Sequence, residues 1–210
     1  MTDGSSTGGF LGSRQIERRR ASGSDEQRGY PGDRRAGPGA VLRHTRRIWA
    51  IAAVHGEAER LTALHDGIAG RLEPDDSLVY LGDVMGYGPA VGKALDELLQ
   101  FRLAFLARPP YVSETTFVCL RGQQEEMWQK LLQIQFAPNP LEVIDWVLAH
   151  GAGPTIEAYG GDPEQARASA RDGPLALTQW AGDMRERMRR SPGHTAYMDS
   201  LRQSARTEDG

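Results

Sequence analysis

Three short apolar runs, each leading through a glycine-bearing polar loop into an amphipathic helix, constrain this chain more than any other feature. The first run, Ile48-Trp49-Ala50-Ile51-Ala52-Ala53-Val54, is continuous, as in a strand covered on both faces. It passes through His55-Gly56 into a stretch from Glu57 in which Leu61, Leu64, Ile68 and Leu72 recur at helical spacing. The second, Ser77 to Leu81, breaks at Gly82-Asp83. A Gly86-Tyr87-Gly88-Pro89 turn then precedes a helix carrying Val91, Leu95, Leu98, Leu99 and Phe105. The third, Thr115 to Leu120, ends at Arg121-Gly122 and is followed by a helix with Met127, Trp128, Leu131 and Leu132. Alternation of this kind predicts a mostly parallel α/β sheet over residues 48–136. Beyond Gln135 the pattern changes. Leu141 to His150, Pro163 to Arg171, Pro174 to Arg190 and Thr195 to Arg202 read as helices, with no fourth strand and no internal repeat. Residues 137–210 are therefore expected to form a helical segment.

Residues 1–47 read differently. They hold nine Gly, five Ser and ten Arg, too little apolar surface to offset the entropy of ordering, and are expected to be a disordered arm. With five acids this arm carries +5, against −8 for residues 48–210, within an overall charge of −3. The Arg18-Arg19-Arg20 and Arg46-Arg47 runs suit an acidic partner, or more simply a solvated arm. The acidic balance gives no reason to expect nucleic acid or an anionic membrane as partner. No apolar run approaches the roughly 20 residues of a membrane span. A lone Cys119 excludes an internal disulfide framework, and the expected compartment is the reducing cytoplasm.

Ligands of a parallel α/β sheet bind beyond the carboxyl ends of its strands. Residues 53–56, 82–88 and 121–125 occupy those ends, and His55 and Asp83 fall at equivalent depths. A neutral imidazole and a carboxylate suit Mn, Fe, Zn or Ni, and equally suit the capping of a following helix. His44, His65 and His150 read as surface or packing residues. Cys119 lies within an apolar strand as a core thiol. Gly193-His194-Thr195 reads as a glycine break between two helices.

Taken together, Ile-Ala-Ala-Val-His-Gly (51–56), Leu-Gly-Asp (81–83) with Gly88-Pro89, and Val-Cys-Leu-Arg-Gly-Gln-Gln-Glu-Glu-Met (118–127) resemble the calcineurin-like metallophosphoesterases. The nearest branch is that of bacterial serine/threonine protein phosphatases and diadenosine tetraphosphatases, and the likeness extends to the helical segment ending in Ala158-Tyr159-Gly160. The resemblance implies the N-terminal part of that family's α/β sandwich, a divalent metal cofactor (Mn, Fe, Zn or Ni) and hydrolysis of a phosphorylated protein or nucleotide. Carried over position by position, it makes His55, Asp83 and Gln123 the metal candidates and Arg121 and Gln124 the substrate-facing ones.

Departures from the family pattern fall on its chemistry. The first-block Asp is Ala53, the downstream Asp-Arg pair is Gly86-Tyr87, and Asn-His is Gln123-Gln124, while Glu125 is kept. The loss of the Arg removes a charge-assisted phosphate fork, and Gln124 cannot serve as a general acid. Three expectations follow. One is a weak or impaired metal-dependent phosphoesterase. Another is a non-catalytic module of the same fold that binds a protein partner, for which Trp49, Trp128, Trp146, Trp180, Met184 and Met188 offer apolar surface unless they are core. The last is an incomplete copy of a longer phosphatase, whose uncovered sheet would promote self-association.

Overall fold

The apolar run that opens at Ile48 forms a strand because its β-branched and aromatic side chains suit a pleated surface; the strand ends at Ile51, and residues 52–54 lead on to the turn at His55. The computed structural model describes residues 39–109 and 112–209. In chain order the elements are β1 (Ala40–Leu42), β2 (Arg47–Ile51), α1 (Ala58–Ala69), β3 (Asp76–Tyr80), α2 (Val91–Leu106) and β4 (Phe117–Cys119). They continue as α3 (Gln123–Leu131), α4 (Pro140–Ala149), α5 (Gly153–Ala158), α6 (Pro163–Asp172), α7 (Pro174–Arg190), α8 (His194–Ser200) and β5 (Ala205–Thr207).

The fold is mixed α/β. Strands β2, β3 and β4 form a parallel sheet in that order, with Ile51 opposite Tyr80 and Tyr80 opposite Cys119. Alternation along the strands sends Leu78, Tyr80, Phe117 and Cys119 into the main core with the helices. Val79 and Val118 point the other way, onto Leu42 of β1, with Ala40 and Ala205 beside them. There β1 and β5 pair in parallel, Ala40 opposite Ala205, as a second small sheet facing the first. The returning chain also bridges Leu120 to Arg202, beyond β4.

Two expectations change. Ordered strand structure begins at Ala40 rather than Ile48, because Leu42 is buried against Val79 and Val118. Disorder of the preceding stretch, residues 1–38, lies outside the described residues. The segment after Gln135 is not wholly helical, since β5 returns to the sheets; a three-residue strand pairing with another three-residue strand leaves too short a pattern to read. The boundary between 136 and 137 marks a change of element type only. The main core runs without a break from Ile51 through Ile144, Trp180 and Met184 to Leu201.

Four helices of the second part start within one residue of where the pattern places them, three with Pro at the first turn. Gly193 is left-handed (φ 82°) and divides α7 from α8, as the glycine break predicts. Trp128, Trp180, Met184 and Met188 are core residues. Trp146 is not: it is 48% exposed on α4. The Cys119 thiol is buried, and burial pushes its pKa up to about 12, which leaves it unreactive. Among the described residues no helix is long and apolar enough to cross a membrane.

Candidate functional site

The loops after β2, β3 and β4 are tied to one another by their main chains. Val54 and His55 N–H donate to the Asp83 carbonyl (3.0 and 2.9 Å), Gly56 N–H to Val84, and Gly88 N–H back to His55 (2.7 Å). The Gly82 and Gly122 backbones approach so closely that a Cβ at Gly82 would fall on the main chain of Gly122. This contact explains why both loops carry glycine. Three non-glycine residues are left-handed here: His55 (φ 50°), Asp83 (φ 55°) and Tyr87 (φ 49°). Such conformations are strained and persist only where the surroundings fix them.

Glu125 fixes the Asp83 turn, on which the His55 N–H in turn rests. Its side chain is fully buried, and its two carboxylate oxygens accept from Asp83 N (2.8 Å), Val84 N (2.8 Å), Met85 N (3.2 Å) and Gly122 N (3.0 Å). The Tyr197 hydroxyl adds a fifth, longer donor at 3.4 Å. Burial and the neighbouring carboxylate push the Tyr197 pKa well up, so the phenol keeps its proton. The family resemblance implies a structural role for Glu125, without naming what it holds. A glutamate in the first turn of a helix ordinarily caps its own helix, and nothing local shows that this one also holds a different loop.

The five sequence-based candidates fall as follows. Asp83 is half-buried, and its Oδ1 accepts from Gln124 N at the start of α3 (2.8 Å) rather than from α2, the following helix that it is expected to cap. His55 is half-buried, edge-on to the Tyr87 ring (centroids 5.1 Å apart), and its enclosed Nδ1 has no hydrogen-bond partner. Gln123 is exposed. Gln124 is buried and donates from Nε2 to the His150 carbonyl (2.8 Å). Arg121 pairs with Glu126 (3.5 Å), and its enclosed Nε is unpartnered. The structure thus brings the His55 and Asp83 loops together and turns Gln124 inward.

Gly86 and Gln124 pack against each other. A Cβ at Gly86 would land on the Gln124 side-chain amide, so that amide fills the space a side chain at 86 would use. Thr155 Oγ1 and the Gly151 carbonyl hold the neighbouring N–H groups of Gly86 and Tyr87. Gly151 in turn packs on the Tyr87 ring. Tyr87 is left 56% exposed over the loops.

The remaining histidines sit elsewhere. His65 and His194 are buried and hydrogen-bonded, His150 stacks on Trp146 (4.2 Å), and His44 is exposed between β1 and β2. Among the described residues no three His, Cys, Asp or Glu side chains gather to hold a metal ion. The donors at the loops are His55 and one carboxylate that already accepts a hydrogen bond. Two divalent cations need more charge and more ligands than this set supplies. No protein-family model matches the chain, and no curated protein matches it in sequence.

Proposed function

We propose that this chain is a metallophosphoesterase-type scaffold whose two-metal centre has been dismantled, and that it acts as a binding or regulatory module rather than as a hydrolase. One observation carries the reading: the polar side chains of the motif loops serve the fold. Glu125 holds four main-chain N–H groups, Asp83 accepts from Gln124, and Gln124 reaches the His150 carbonyl. Ala53 and Gly86, where the resembled family carries carboxylates, offer no ligand atom. The rigid, glycine-shaped loops and the exposed Tyr87 ring remain as a surface for a partner.

A second reading, hydrolysis of a phosphomonoester or nucleotide phosphoanhydride, is favoured by the unpartnered His55 Nδ1 beside the strained Asp83. One experiment separates the two. The purified chain is analysed for bound Mn, Fe, Zn and Ni and assayed on p-nitrophenyl phosphate and diadenosine tetraphosphate with added manganese. The module reading expects no stoichiometric metal and no turnover. Turnover abolished by Asp83→Asn would sink it. Restoring Ala53→Asp, Gln123→Asn and, as a pair, Gly86→Asp with Gln124→His is expected to raise metal occupancy, because the pair exchanges one packed arrangement for another.

A further inference from the structure

Helix α1 buries one narrow stripe, Ala58, Leu61, His65 and Ile68. A titratable ring therefore sits in the middle of an otherwise apolar contact, 2% exposed and stacked on Phe101 of α2 (centroids 3.8 Å apart). Both of its nitrogens are engaged. Nδ1 lies 2.5 Å from the Glu97 carboxylate of α2 and so donates, while Nε2 lies 2.5 Å from the Tyr80 hydroxyl of β3 and accepts from it. This pattern is complete only for a neutral ring. A proton on Nε2 turns the Tyr80 hydrogen away, and among the described residues that buried hydroxyl has no other partner. Gly67, inside α1, lowers the helix's own stability. The helix also grows directly out of the motif loops. It follows the His55-Gly56 turn, where the Gly56 carbonyl accepts from Ala90 N–H (3.1 Å) at the start of α2 and Val91 packs close against Gly56.

We propose that α1 is a proton-released flap: uptake of one proton by His65 frees the helix from α2 and β3 and, with it, the His55-Gly56 turn at the strand ends. Glu97 and the adjacent Asp66 favour the charged ring, but burial disfavours it and prevails, so the closed form holds His65 below its ordinary 6.5. Once the flap opens, the ring faces water and takes the proton at its ordinary value. Opening is therefore suppressed above pH 6.5 and grows as pH falls below it, by at most about tenfold per pH unit for a single proton. Tyr80, and Cys119 opposite it in the ladder, have pKa values raised by burial and stay neutral throughout. Helix α2 stays in place, held on its other side by the Asp96–His194 contact (3.0 Å). The consequence for a partner seated at the strand ends, release in acid, rests on the module reading; the flap itself does not.

Hydrogen exchange read by mass spectrometry on the full chain, without a partner, tests it. Rates are corrected for the intrinsic pH dependence of amide exchange. Peptides covering residues 53–69 are expected to open roughly tenfold more at about pH 5 than at about pH 7, while those from α6 and α7 stay level. His65→Gln carries no titrating ring and is expected to abolish the rise. Exchange in residues 53–69 that ignores pH overturns the proposal, and so does a rise shared equally by α6 and α7. Both outcomes are read on the wild-type chain, so they decide the matter even if His65→Gln fails to fold. A rise that persists in a folded His65→Gln chain overturns it too.

Discussion

At the scale of single residues, Glu125 shows how one buried carboxylate can hold two loops in place. Its carboxylate neutralises four main-chain donors from two loops, and removing any one acceptor leaves a buried N–H unsatisfied. Glu125→Gln places an NH2 group against N–H groups that need an acceptor. The change is expected to cost about 2–3 kcal/mol in urea unfolding, and an unchanged midpoint would contradict this account of the loops. The sequence shows Gly86 and Gln124 as two unrelated positions. Only the structure shows the Gln124 side chain packed into the space beside Gly86, because residues far apart in the chain leave no local pattern of their contact.

At the scale of elements, α2 is clamped from two sides by matched side-chain chains. Glu97 accepts from His65 Nδ1 of α1 (2.5 Å), and the His65 Nε2 accepts from the Tyr80 hydroxyl (2.5 Å). The neighbouring Asp96 accepts from His194 Nε2 of α8 (3.0 Å), whose Nδ1 accepts from the Tyr159 hydroxyl (2.9 Å). Burial raises both tyrosine pKa values, which keeps each phenol a donor. Burial also lowers the His65 pKa from its ordinary 6.5, outweighing the nearby Glu97, so the folded state holds a neutral ring. His65 therefore contributes its full stability above pH 6.5, and that contribution declines as pH falls below 6.5, where the unfolded chain takes up the proton more readily. Denaturation midpoints are expected to fall between pH 7 and pH 5, and His65→Gln is expected to flatten that slope. The helices themselves were legible from 3.6-residue periodicity and proline starts. The pairing of two histidines with adjacent acids on α2 was not, since a buried histidine and a surface one look alike in sequence.

At the scale of the whole molecule, the described chain has one main core despite its two kinds of segment. Ile51, Leu78 and Phe117 of the sheet share a cluster with Ile144, Ile156, Trp180 and Leu201 of the later part, and the described residues form one compact unit. Urea unfolding followed by tryptophan fluorescence and by far-UV circular dichroism is expected to give coincident, single transitions. Trp49 reports on the sheet, and Trp128 and Trp180 on the helices. Separated transitions would show two independent bodies instead. The three strand–loop–helix units were legible because each carries its own pattern, whereas β1 and β5 became visible only through each other. The loops that the resemblance singled out do meet in space. Their chemistry was not legible, because it depends on which polar atoms are already engaged.

The main-chain donors gathered on Glu125 also bear on how the loops respond in time. Amide hydrogens of Asp83, Val84, Met85 and Gly122 are shielded by a buried acceptor, so they exchange with solvent only when that region opens as a unit. A molecule arriving at these strand ends meets a surface already in its final shape. On the proposed binding role, docking there is expected to carry little penalty for ordering the chain, with association paced by encounter and orientation rather than by loop closure.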